Sequence, residues 1–334
     1  MGATATESEK RGASRADIPG DGWAAALFAS REDCAAVLRA LEALAAAARR
    51  GTVADVLVNG NAELAAAVSA ALAAAPAGSG PLQLRVWSLA LGDKAHCWNE
   101  YVHRLWPGTG TTFFIDGYVR VRPDALQALE AALAAEPQAL AAAGLPSTGR
   151  GAAALRAAME REGGLHGNLH ALRADTLHAL RHMGLRLPLG VYRTDGIVGA
   201  VLSFGLDPAR HDWEPRRHIA LARDASWDTE PQRWWRWQDL RTQWRRLDRQ
   251  AQGVLENRAV SDWLARHRRP AQALPATVER LVSLWAAEDP RALAAALAQD
   301  GRRRRAWERL QSPRDWSAAR QPPALLFDGT KVAG

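Results

Sequence analysis

The sequence predicts an α/β protein: a mostly parallel sheet flanked by helices, with an α-helical C-terminal extension. Three observations lead there. Short apolar runs alternate with helix-period patterns through about the first 205 residues, joined by short polar connections. Each of the first four runs ends in polar residues, as strands do at the rim of a sheet. From about residue 230 the strand signals stop and helical patterns take over.

In chain order, "WAAALFA" (23–29) is the first strand, and a helix follows from Cys34 to about Arg50, with Val37, Leu38, Leu41 and Leu44 on one face. Gly51 breaks that helix before "VADVLVN" (53–59), the second strand, which Asn59-Gly60-Asn61 closes. An Ala-rich helix over 62–75 leads to "LQLRVWSLA" (82–90). The loop Leu91-Gly92-Asp93-Lys94 and a helix to about Trp106 precede "TTFFID" (111–116). A helix over 123–142, a Gly/Pro/Ser-rich loop over 144–151 and a short helix come next. "LHGNLHALR" (165–173) alternates like a strand, a helix starts near Asp175-Thr176, and "TDGIVGAVLSFG" (194–205) reads as a buried helix stopped by Gly205. The expected units are a flexible lead (1–20), an α/β domain (21–229), a Trp/Arg-rich helical extension (230–320) and a Pro-containing tail (321–334).

With 334 residues and 48% apolar content the chain can bury a large core. No window approaches the roughly 20 apolar residues of a membrane span, and the polar N-terminus has no signal-peptide core, so a soluble cytoplasmic protein is expected. Cys34 and Cys97 give neither a metal-site spacing nor a disulfide framework. The net charge of +7 is uneven. Residues 1–209 hold 19 basic and 20 acidic groups, whereas 210–320 hold 23 and 15. Only Lys10, Lys94 and Lys331 are lysines. Heavy Arg and Ala use suggests codon bias behind part of this basicity.

In an open parallel sheet the ligand crevice lies at the carboxyl ends of the strands. Ser30 and Glu32, Asn59 and Asn61, Asp93 and Lys94, and Asp116 stand at those ends and should gather at one rim. There Asp116 either faces a ligand or metal, or caps the next segment as a turn aspartate.

Six segments, "ALFASRED…VLRALEAL", "ADVLVNGNAELAAAV", "GDKAHCWNEYV", "FFIDGYVRVRPDALQALEAAL", "GLHGNLHALRADTLHAL" and "YRTDGIVGAVLSFG", follow one another over residues 23–205. In that order they resemble the family 2 glycosyltransferases, which have the Rossmann-like GT-A fold. The resemblance implies an inverting enzyme of polysaccharide biosynthesis that moves a sugar from a nucleotide-diphosphate donor to a hydroxyl of a glycan or lipid-linked glycan. It implies that Ser30, Glu32 and Asn59 line the base and ribose, with Lys94 and Asn99 beside them. Asp116 matches the first acid of the family's Asp-x-Asp motif, which grips the diphosphate through a divalent cation, Mn²⁺ or Mg²⁺. The second acid is replaced, in Asp116-Gly117-Tyr118, by Tyr118, which is counted among the donor-binding residues. His218 stands where such enzymes sometimes supply a further metal ligand. Arg120, Arg122 or Arg217 could instead neutralise the diphosphate.

Asp195 matches the family's catalytic base, and "TDG" serves equally as an N-cap. His166 and Gly167 are candidates for contact with the acceptor or the diphosphate. In "EPQRWWRWQDLRTQWRRLDRQ", Gln232 is one residue too far from Arg236-Trp237 to complete the family's Gln-x-x-Arg-Trp. Trp234, Trp237, Leu240, Trp244 and Leu247 recur as a helical stripe, which reads as packing; Arg236 and Trp237 are kept as a minor site. This basic helix could also rest on the inner membrane face. Alternatives outside catalysis are a sugar-nucleotide fold without transferase activity and a nucleic-acid-binding module; the acids Asp239 and Asp248 interrupt the basic face and disfavour nucleic acid.

Overall fold

The structure is a computed structural model that describes residues 22–75, 80–148, 151–229, 237–312 and 314–331, with the backbone alone over 237–246. The expected N-terminal lead (1–20) lies outside these residues. The described residues form a nine-stranded sheet: β1 (Trp23–Ala29), β2 (Thr52–Asn59), β3 (Leu82–Leu89), β4 (Thr111–Asp116), β5 (Arg120–Val121), β6 (Ala141–Pro146), β7 (Leu169–Arg173), β8 (Ile219–Asp228) and β9 (Ala324–Asp328), in the spatial order β5-β8-β6-β7-β4-β1-β2-β3-β9. The centre, β4-β1-β2-β3, is parallel. β7 runs antiparallel between β4 and β6, which returns β6 and its parallel neighbour β8 to the direction of β4. The carboxyl ends of β1, β2, β3, β4, β6 and β8 therefore share one rim.

Alternation along the buried strands divides the core between two faces. In β1, Ala24, Ala26 and Phe28 face one cluster, and Trp23, Ala25, Leu27 and Ala29 the other. The second face is covered by the helices Cys34–Ala47, Ala62–Ala74 and Ala125–Ala135, through side chains such as Leu41, Val68 and Leu129. The first takes Thr194–Ser203 together with the C-terminal helices Trp237–Ser261 and Val278–Glu288, through Val198, Leu255 and Trp285. Each fully buried large apolar side chain contributes about 1.5–3 kcal/mol by leaving water.

The first three strands each turn directly into a capped helix at the common rim. The side chains of Asp33, Asn61 and Asp93 accept from the main-chain N–H of Ala36, Leu64 and His96. These caps satisfy donors that a helix start leaves open. They also direct three helix N-termini, with their positive dipole ends, to the crevice.

Two sequence expectations are corrected. The helix expected over 123–142 ends at Ala135, and "AAAGLP", expected as helix end and loop, is strand β6. Alanine favours helices intrinsically, but β6 is buried at every position between β7 and β8, where small residues fit and tertiary pairing prevails. In the expected tail, β9 pairs antiparallel with β3 and covers that sheet edge. β8, absent from the sequence reading, carries a register shift opposite Ala143 and Leu145, which blurs its alternation. No helix among the described residues is long and apolar enough to cross a membrane.

Candidate active site

The strand-end residues do gather. Glu32 turns back on the end of β1 and accepts from the main-chain N–H of Ser30 (2.6 Å) and Arg31 (2.9 Å). The Asn59 amide donates to Ala29 O (3.0 Å) and that of Asn61 to Ser30 O (2.9 Å), tying the ends of β1 and β2 together. Gly60 has φ +65°, and a Cβ there would lie 2.3 Å from Gly92 Cα, so the turns after β2 and β3 touch backbone to backbone. Only glycine permits this approach.

Asp116 stands at the end of β4 beside that wall. The next residue crosses the end of β1: Gly117 N donates to Phe28 O (2.7 Å), and a Cβ on Gly117 would lie 2.8 Å from that oxygen. The Asp116 carboxylate is paired on one oxygen with Lys94 Nζ and accepts on the other from Tyr118 Oη (3.2 Å). Lys94 opens the helix Lys94–Glu100 and passes 5.5 Å from the Phe28 ring. Burial works against its charge, yet Asp116 first and Asp195 second hold its pKa above the ordinary value.

Asn168 completes the group. With its amide oxygen accepting from Trp227 Nε1 (2.9 Å), its nitrogen donates to Asp116 Oδ2 (3.3 Å) and Tyr118 Oη (3.1 Å). Trp227, from the end of β8, also lies 5.1 Å from the His166 ring. The next residue, Asp228, pairs with Arg122 (3.3 Å). Asn168, Trp227 and Asp228 are not among the sequence candidates. Asn168 hides between two conspicuous histidines, and the other two end the strand that sequence patterning misses.

Asp195 comes to the same place from the opposite side. It lies in the first turn of the helix Thr194–Ser203, whose N-cap is Arg193, not an acid, so the capping role is not the one it fills. Its carboxylate packs on the bare backbone of Gly167, where a Cβ would lie 3.2 Å from Asp195 Cγ. Among the described residues this carboxylate has no hydrogen-bond or ion-pair partner, while it acts electrostatically on Lys94, His166 and His170. Burial foremost depresses both histidines. His166 lies below its ordinary value, against the pull of Asp195 and Asp116, and His170 is lowered to about 4. His170 stacks on Phe114 (5.1 Å) and donates from Nδ1 to His166 O (3.0 Å). Both rings are neutral near pH 7.

Other candidates fall elsewhere. His218 is not beside Asp116. The registers align Ile219 with Ala141, Leu172 and Thr112 in turn, so Asp116 lies four residues further along, roughly 13 Å at about 3.3 Å per residue. His218 is at the opposite rim, 4.0 Å from Glu214 and close to Gly205. Arg217 is there too, paired with Glu214 (2.9 Å). Both halves of the Asn99 amide are taken by the main chain of Leu187, at 2.9 and 2.8 Å. Arg236 and the side chain of Trp237 lie outside the described residues, as does most of the tryptophan stripe.

No family model matches the sequence, and no curated protein matches it. Solved structures do. A mannosyltransferase from Pyrobaculum calidifontis, PcManGT, in complex with GDP-Man and Mn²⁺, aligns over 88% of this chain and 86% of its own with a TM-score of 0.52 at 15% identity. S. aureus TarS 1–349 aligns over 88% and 93% with a TM-score of 0.46 at 12% identity. The chain has a GT-A-like fold. In this GT-A-like frame Asp116 stands at the carboxyl end of β4, and both Asp116 and Asp195 act electrostatically on Lys94 and His166.

The donor set bears on a metal. Among the described residues one group of three His, Cys or carboxylate ligands can meet a common ion, Asp262, His267 and Glu288. It lies in the C-terminal helices, and its acids are already paired with Arg266 (3.2 Å) and Arg269 (2.8 Å). Asp116 belongs to no such group. The protein alone builds no cage there, but hard cations at phosphates need only one or two carboxylates, with substrate oxygens and water completing the shell. The single carboxylate of Asp116 fits that donor-assisted mode.

Proposed function

We propose that the chain is an inverting glycosyltransferase that moves a sugar from a nucleoside-diphosphate donor to a hydroxyl of a glycan, free or lipid-linked. The order of its motifs favours family 2. One observation carries this reading: two carboxylates in opposite states share the rim. Asp116 is paired with Lys94 and accepts from Tyr118, whereas Asp195, in the first turn of a helix, has no hydrogen-bond or ion-pair partner among the described residues.

An unpartnered carboxylate in a crevice can accept a proton. In the transfer, an acceptor oxygen forms the new bond to the anomeric carbon, and its proton passes to Asp195. The bond from that carbon to the diphosphate oxygen breaks with its electron pair on the leaving nucleotide. Attack opposite the leaving group inverts the anomeric centre. Lys94, already poised at Asp116, moves its ammonium to the diphosphate as charge develops, and the Asp33, Asn61 and Asp93 helix starts add positive potential. A divalent cation on Asp116 would neutralise the same diphosphate. Ser30, Glu32 and Asn59 form the wall for base and ribose. Gly167, against which the Asp195 carboxylate packs, and its neighbour His166 would contact the sugar.

The test follows nucleotide release from GDP-mannose and UDP-N-acetylglucosamine, to water and to a panel of glycosides. Asp195→Asn should lower turnover about 100- to 10,000-fold while nucleotide binding persists. Loss of binding instead would make Asp195 a structural residue, and undiminished turnover would remove it as base.

A further inference from the structure

Asp195 also opens onto a groove. A cleft of about 500 Å³ runs along the helix Thr194–Ser203, with Asp195 at one end and Trp213 at the other. Its walls are Gly163 and Gly164 on one side, Gly196 and Gly199 on the other. Leu165 closes the floor against Gly199, where a Cβ would lie 3.5 Å away. From Asp195 to Ser203 the helix rises about 12 Å at about 1.5 Å per residue, room for more than one sugar ring.

Trp213 is the unusual feature. Its side chain is 54% exposed, yet the segment carrying it is fixed. Glu214 N donates to Ser203 O (2.8 Å), Asp212 pairs with Arg268 (2.9 Å), and the indole meets Phe204 edge-on at 5.2 Å. Among the described residues Phe204 is the one ring set against this indole, which leaves a face open as a stacking platform. Sugar rings present C–H faces to such platforms and hydroxyl edges to carboxylates. Bare glycine backbone lets a flat ring approach closely.

We propose that this groove holds the acceptor as an oligosaccharide, an inner ring stacked on Trp213 and the terminal hydroxyl directed to Asp195. The inference rests on Asp195 being the base. Saturation-transfer NMR with maltotriose, cellotriose, chitotriose and mannotriose tests it on wild type, Trp213→Ala, Trp213→Phe and Ala200→Leu, the last filling the groove from the helix side. At least one trisaccharide should bind wild type. Trp213→Ala should weaken it about tenfold or more, Trp213→Phe should retain most of the binding, and Ala200→Leu should abolish it. No binding by any trisaccharide, or equal binding to Trp213→Ala, would overturn the proposal. UDP and GDP are titrated separately into wild type: nucleotides binding without any trisaccharide sinks the groove alone, and a trisaccharide binding without nucleotides sinks the donor reading alone.

Discussion

At the scale of single residues, Tyr118 redefines the site. Where an Asp-x-Asp motif would bring a second negative charge, its hydroxyl donates to Asp116 and accepts from Asn168. One carboxylate then faces one ammonium, so Lys94 rather than a second acid governs the charge at the rim. A second ion pair is purely structural. Asp55, fully buried in β2, accepts from Arg85 Nε and Nη2 (2.7 Å each) and from Trp87 Nε1 (2.7 Å). Burial, above all, raises its pKa against the pull of Arg85. Breaking such a pair strands the partner charge, so Asp55→Ala should cost about 3 kcal/mol, near the lower end for buried pairs, because Arg85 keeps 19% of its side chain exposed. Urea unfolding checks this, and an unchanged midpoint would contradict it. Residue types and positions at strand ends are legible in the sequence. Hydrogen-bond partners 88 residues apart, such as Asn99 and Leu187, are not, because nothing local encodes them.

At the scale of elements, the helix Trp237–Ser261 reaches the segment that presents Asp195. Gln252 donates to Gly190 O (3.1 Å) and to Glu256 (2.7 Å), and both Glu256 oxygens accept from Tyr192 N (3.0 and 2.9 Å). Burial, opposed by these hydrogen bonds, pushes the Glu256 carboxyl up to about 7 from 4.5. A folded-state pKa above the unfolded one means that the folded protein binds the extra proton. The stabilisation is complete below pH about 4.5 and is lost as pH rises through about 7, a span worth about 3 kcal/mol. Glu256→Gln, an amide of the same shape, should flatten the fall in Tm between pH 5 and 8. An equally steep fall in the variant would assign it to other groups. The sequence makes the helix legible through its period. The Glu256 contact is not, since a Glu on an Arg-rich helix reads as solvated. β6 is misread for a related reason: alanines carry helix propensity but no strand pattern, and only their neighbours make them a strand.

At the scale of the whole molecule, the two faces of the sheet divide the labour. Two capped helices, Cys34–Ala47 and Ala62–Ala74, cover one face and the capped helix Lys94–Glu100 lies on the other, and all three turn their N-termini to the rim. The C-terminal helices on the other face support the Asp195 segment and extend one hydrophobic core from Phe28 to Trp285. The basic excess of the C-terminal part is partly consumed inside it, where Arg266, Arg269, Arg309 and Arg314 each hold a carboxylate. The central claim is that the rim around Lys94 and Asp116 binds a nucleoside diphosphate. Calorimetric titration of UDP and GDP, with and without Mn²⁺, into wild type and Asp116→Ala tests it most directly. Binding of one nucleotide, strengthened by Mn²⁺ in wild type but not in Asp116→Ala, is the predicted result. Failure of both nucleotides to bind wild type under either condition would contradict the account.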